Sequence, residues 1–216
     1  MPSRKPGDVH HVYLNLLLNI AGLGFGDAKS NFMGGRRSVC GELFVCPSSD
    51  PSVPPRTDFR RPEAVLGSLN QAFQMENQNG LYFTIWYGVY HHPTGTLRYA
   101  SAGHPPPIVV SGAKDERGKA ESLPAIGCPV GILPDFPYAS KECTIAGPAR
   151  LFLFSDGAYE IVRPDGTILE FEAFEEILTR AVPEGSSELQ ELLQFAREVH
   201  GSEELDDDFS IIKMTI

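Results

Sequence analysis

Two apolar runs near the carboxyl end, each joined to an acidic cluster, constrain this chain more than any other feature. Ala149-Arg150-Leu151-Phe152-Leu153-Phe154 reads as a buried strand that stops at the turn Ser155-Asp156-Gly157. Ile211-Ile212-Lys213-Met214-Thr215-Ile216 reads as a second strand, opened by Asp206-Asp207-Asp208-Phe209-Ser210. If the two strands are neighbours in one sheet, the carboxylates at their ends can meet. Oxygen ligands held that way suit Mg2+ or Mn2+, which take one or two carboxylates and keep several waters. Taken alone, Asp-Gly is an ordinary turn and a triple aspartate an ordinary solvated run. The surrounding chain has to decide between these readings.

Charge removes one class of partner. A net charge of −10 argues against binding to nucleic acid or to an anionic membrane surface. Cys40, Cys46, Cys128 and Cys143 include no Cys-x-x-Cys pair and have no histidines at zinc-finger spacing, so structural zinc is not expected. With no signal-peptide pattern, reduced thiols in a cytoplasmic protein are expected. No apolar run approaches the ~18 residues of a membrane span. The segment Val12–Ile20 is too short and is interrupted by Asn15 and Asn19.

The chain divides unevenly. Residues 1–57 read as an irregular amino-terminal segment, with clustered glycines from Gly22 to Gly41 and a Pro/Ser stretch from Pro47 to Pro55. Residues 58–216 read as one orderly domain. Pro62–Phe73 is predicted to be a helix, with proline in its first turn and Val65, Leu66, Leu69 and Phe73 on its core face. Leu81–Tyr90 and Thr96–Ala102 are predicted strands joined by the turn at His91–Gly95. Ile108–Val110 is a further strand before a polar loop, Ser111–Glu121. Cys143–Ile145 and Arg150–Phe154 flank a turn at Gly147-Pro148. Phe171–Val182 and Glu188–His200 are amphipathic helices. Short turns between strands favour an antiparallel α+β arrangement, with helices outside a sheet sandwich.

Five stretches, in order, resemble the PPM-class serine/threonine phosphatase domain in its bacterial RsbU/SpoIIE-type branch. They are Tyr82-Phe83-Thr84-Ile85-Trp86-Tyr87-Gly88, Tyr99-Ala100-Ser101-Ala102-Gly103-His104-Pro105-Pro106 and Gly127-Cys128-Pro129-Val130-Gly131, followed by Leu153-Phe154-Ser155-Asp156-Gly157-Ala158-Tyr159-Glu160 and Asp207-Asp208-Phe209-Ser210. The resemblance implies an antiparallel β-sandwich of two sheets flanked by helices, with two Mn2+ or Mg2+ ions. By position it makes Asp156 and Asp207 metal ligands, with Gly157, Asp208 and His104 in supporting roles. The family has two further aspartates near its start. Gly7-Asp8-Val9-His10-His11 matches the opening of the second of these elements and then lacks its glycines, so Asp8 is the third ligand expected.

The implied activity is hydrolysis of phosphoserine or phosphothreonine on a bacterial signalling protein by a metal-activated water. The implied partner is an anti-sigma-factor antagonist, and a homodimer is left open. The alternative is a catalytically degenerate module that acts by protein binding. His104, between Gly103 and Pro105-Pro106-Pro107, fits a rigid turn better than a general acid. His91 and His92 fit a solvent-facing hairpin turn, and Glu203, Glu204 and Asp206 an exposed surface.

Overall fold

A computed structural model of the chain describes residues 11–21, 57–113, 116–181 and 186–216, the first of these as backbone only. Among the described residues, eight strands and three helices run in the order β1 (His11–Ala21), α1 (Pro62–Ala72), β2 (Tyr82–His91), β3 (Thr96–Ala102), β4 (Ile108–Ser111), β5 (Lys119–Ser122), β6 (Lys141–Thr144), β7 (Ala149–Phe154), α2 (Phe171–Leu178), α3 (Glu188–His200) and β8 (Ile211–Thr215). The strands form two four-stranded sheets, β1-β2-β3-β6 and β5-β4-β7-β8. All the strand pairs are antiparallel.

The period-2 geometry of the strands explains the layering. From β2, Trp86 and Tyr90 point between the sheets and meet Leu97, Tyr99, Val109, Leu151 and Leu153. The alternate residues Phe83, Ile85, Tyr87 and Val89 face the other way, against Val65, Leu66 and Leu69 of α1. In the second sheet Ile108, Val110, Phe152 and Phe154 face outward and pack on Phe174 and Leu178 of α2 and on Leu192 and Ala196 of α3. Both faces of the central strands are therefore dry, which is why β7 reads as a continuous apolar run rather than an alternating one. Each fully buried Leu or Phe side chain contributes roughly 1.5–3 kcal/mol.

The fold class is the antiparallel two-sheet sandwich with flanking helices that the sequence implies. Two local readings change. Residues 1 to about 60 are not irregular throughout, because His11–Ala21 is a strand paired with β2 along the sheet edge. Its register shifts between Leu16 and Asn19, so Asn19 borders an irregularity an edge strand tolerates, while Asn15 pairs regularly with Tyr87. Within the polar loop, Lys119–Ser122 is an edge strand with no apolar signal of its own. Gly147-Pro148 is a bend, as read from the sequence. It carries the chain between the sheets, since β6 pairs with β3 while β7 pairs with β4 and β8.

Candidate metal centre

The short connections define two ends of the sandwich. β3 ends at Ala102 and β4 begins at Ile108, opposite Phe152 of β7. β7 ends at Phe154, opposite Ile211 at the start of β8. Asp156 and Asp207 therefore leave their strands at the same edge, as expected of antiparallel neighbours.

Ser155 latches the two segments together. Its N–H donates to the Ser210 carbonyl at 3.0 Å, and the Ser210 N–H donates back to Ser155 Oγ at 3.0 Å. The Ser155 hydroxyl then donates to the Asp208 carbonyl at 2.6 Å. These bonds extend the β7–β8 ladder past its last strand residue and hold the backbone of Asp208–Ser210 against the turn. Asp156–Ala158 forms a single 3-10 turn. In that turn Asp156 Oδ1 accepts the Gly157 N–H at 3.1 Å.

Gly157 is required for a steric reason. A Cβ there would lie 2.7 Å from the Asp208 carbonyl oxygen and 3.3 Å from Asp207 Cβ. Only a residue without a side chain lets the two acidic segments close on each other. Asp207 accepts the Asp208 N–H on Oδ1 at 2.7 Å, and both residues are exposed while Asp156 is half-buried.

The resembling loops brace this end of the sandwich. Gly127 lies against β3 so closely that a Cβ would sit 1.8 Å from the Ser101 carbonyl oxygen. Asn70 of α1, which is buried, ties down the same loop. It accepts the Gly131 N–H at 2.8 Å and donates to the Leu133 carbonyl at 2.9 Å. The sequence reading gave no role to Ser155 or Asn70. A polar residue inside an apolar stripe, as Asn70 is, was the one signal that could have marked it.

His104 is buried in the β3–β4 crossing, and burial pushes its imidazole below the ordinary histidine value. A bond to the Pro105 carbonyl and the Asp156 charge oppose that shift. Tyr159, beside the turn, is raised to about 12, first by burial and then by Glu160 and Asp156. His91 and His92 lie at the opposite end of the sandwich, where His91 Nδ1 is 2.7 Å from Thr94 Oγ1.

The donor set suits a hard divalent cation. The backbones of two adjacent acidic strand ends close on each other at a glycine, which puts Asp156, Asp207 and Asp208 on one edge. Among the described residues, no three His, Cys, Asp or Glu side chains gather to hold a metal ion. Asp8 lies outside the described residues. The strand after it begins at His11, opposite His91, and reaches the Asp156 end only at Ala21, opposite Tyr82.

Residues 48–216 match the family described as Stage II sporulation protein E (SpoIIE). The chain belongs to the SpoIIE family. It is similar to phosphoserine phosphatase RsbU of Bacillus subtilis (strain 168), with 26% identity over 151 residues, covering 70% of this chain and 44% of that protein. The chain thus spans less than half the length of that curated relative. Among solved structures it is similar to the SiaA-PP2C domain of Pseudomonas aeruginosa, with a TM-score of 0.65 and 16% identity over 96% of this chain and 86% of that one. The RsbU and RsbW domains of Rv1364c from Mycobacterium tuberculosis give 0.55 and 18%, covering 94% and 51%. These likenesses establish a PP2C-like fold, in which the SpoIIE-family motifs lie at one end of the sandwich.

Proposed function

We propose that this SpoIIE-family chain is a metal-dependent serine/threonine phosphatase acting on a phosphorylated bacterial signalling protein. One observation carries the reading. Ser155 and Gly157 clamp two acidic segments from different parts of the chain into one edge, with Asp156 and Asp207 side by side in the backbone path. A structural turn needs no such convergence of like charges, which repel one another unless a cation neutralises them.

Asp156 and Asp207 would hold Mn2+ or Mg2+, with Asp208 orienting its neighbour. When bound, such ions polarise a phosphoryl group and supply a nucleophilic water at neutral pH. The reading needs no protein nucleophile. By family resemblance the substrate is phosphoserine or phosphothreonine on an anti-sigma-factor antagonist. The likeness to phosphoserine phosphatase RsbU supports the phosphoserine arm. Among the described residues no helix is long and apolar enough to cross a membrane.

The test is release of phosphate from p-nitrophenyl phosphate and from a phosphoserine peptide with added Mn2+. Activity should vanish with EDTA and fall sharply in Asp156→Asn. Turnover that survives both would sink the mechanism. A second reading, a module that binds partners without catalysis, is favoured by the direction of β1, which carries the chain from Asp8 toward the site rather than away from it. Calorimetric titration with Mn2+ separates the two, because the binding-only module takes up no tightly held ion.

A further inference from the structure

His104 is more constrained than a turn residue needs to be. It is 5% exposed, in the crossing between β3 and β4. Its backbone N–H donates to Ser101 Oγ at 3.2 Å, and the Ser101 hydroxyl donates to the His104 carbonyl at 3.2 Å. Those bonds close the turn without the ring. Nδ1 lies 2.8 Å from the Pro105 carbonyl, which can only accept, so Nδ1 carries the proton. Nε2 is then a lone-pair acceptor, buried and without a hydrogen-bond partner among the described residues. A buried acceptor left unmet is costly, and a side chain ending at the Nδ1 position would serve the turn without that cost.

The topology shows what lies in front of it. His104 comes four residues before Ile108, which pairs with Phe152, and Asp156 comes four residues after Phe152. Both therefore sit just past the same edge of two paired strands, close enough for the Asp156 charge to act on the imidazole. Nε2 and the Asp156 carboxylate are both acceptors on that edge, and a donor with two hydrogens can serve both.

We propose that His104 is a positioning residue of the site: a buried water donates one hydrogen to Nε2 and the other to the Asp156 carboxylate, fixing how Asp156 meets a cation. This rests on the metal-dependent reading above. Partners behind a ligating carboxylate typically matter 10–100-fold in metal affinity.

Two variants separate this role from a structural one. His104→Gln keeps an acceptor near the Nε2 position, whereas His104→Asn keeps a donor for the Pro105 carbonyl and offers nothing at Nε2. Mn2+ is titrated calorimetrically into the full chain and both variants, and unfolding is followed by the fluorescence of Trp86, the single tryptophan. The expected result is that His104→Asn binds Mn2+ about 10–100-fold more weakly at a nearly unchanged unfolding midpoint, while His104→Gln stays near wild type. Equal affinities in wild type and His104→Asn, or equal losses in both variants, would overturn the proposal. If His104→Asn does not fold, His104→Gln decides, and a tenfold loss there also overturns it. A wild-type chain that takes up no Mn2+ removes the metal-dependent reading itself, and this inference with it.

Discussion

The two ends of the β7–β8 pair carry charge in opposite ways. At the end where β7 starts, Arg150 and Glu188 form a buried ion pair, with side chains 3% and 5% exposed. Lys213 of β8 joins it, its Nζ 3.2 Å from Glu188 Oε2. At the other end, Asp156, Asp207 and Asp208 sit at or near the surface, and their backbones are held by hydrogen bonds and a close glycine contact. The first cluster balances its charge within the protein and fastens the amino end of α3 to the sheet. The second gathers like charge at one edge of the sheet, with Asp207 and Asp208 exposed to solvent. Buried pairs of opposite sign point to architecture, and like charges held at an open edge point to a ligand.

Removing a ligand tests that contrast most sharply. Asp156→Asn or Asp207→Asn should lower Mn2+-dependent turnover by about 100–1,000-fold, the loss of several kcal/mol of transition-state stabilisation. The unfolding midpoint should hardly move, because neither carboxylate is needed for packing. A large loss of stability with intact turnover would reverse the roles assigned to the two ends.

The buried end should respond the opposite way. Glu188→Ala strands Arg150 and Lys213 without their carboxylate and should cost about 3–5 kcal/mol in urea unfolding monitored by Trp86. Activity per folded molecule should be unchanged. Arg150 Nε and Nη2 are already buried without partners among the described residues. The double variant Arg150→Met/Glu188→Leu should therefore recover most of that loss or exceed wild type. A double variant that stays stable but loses activity would show that the far end also serves the site.

Gly157→Ala probes the clamp directly. Its Cβ would overlap the Asp208 carbonyl, so the backbone of one acidic segment must move. The expected cost is about 1–3 kcal/mol of stability, together with about 10–100-fold weaker Mn2+ binding by calorimetry. Loss of stability alone would mean that the spacing of the two segments is not what binds the ion.

Much of this was legible in the sequence, for identifiable reasons. β7 and β8 announce themselves because both faces are dry, and Glu188–His200 shows its stripe from Leu192 to Ala196 at full helical period. The acidic pair could be placed because antiparallel neighbours put one strand's end beside the next one's start. What stayed hidden was edge and crossing structure. Lys119–Ser122 is half-solvated and carries no apolar pattern, and β1 contains two asparagines and a register shift. Nor could local sequence show that Ser155 reaches across to residues 208 and 210, since that contact spans more than fifty positions.

The smallest expected effect concerns Asp8. Three residues of chain reach no more than about 11 Å even fully extended. They precede His11, at the end of β1 opposite His91, and β1 runs eleven residues before it meets the Asp156 edge at Ala21. A strand of that length covers about 36 Å, so His11 lies far from the Asp156 edge. Asp8→Asn should accordingly leave both Mn2+ affinity and turnover unchanged. A loss comparable to that of Asp156→Asn would mean that the working enzyme pairs its first strand differently from the arrangement described here, and that the two halves of the metal site meet only then.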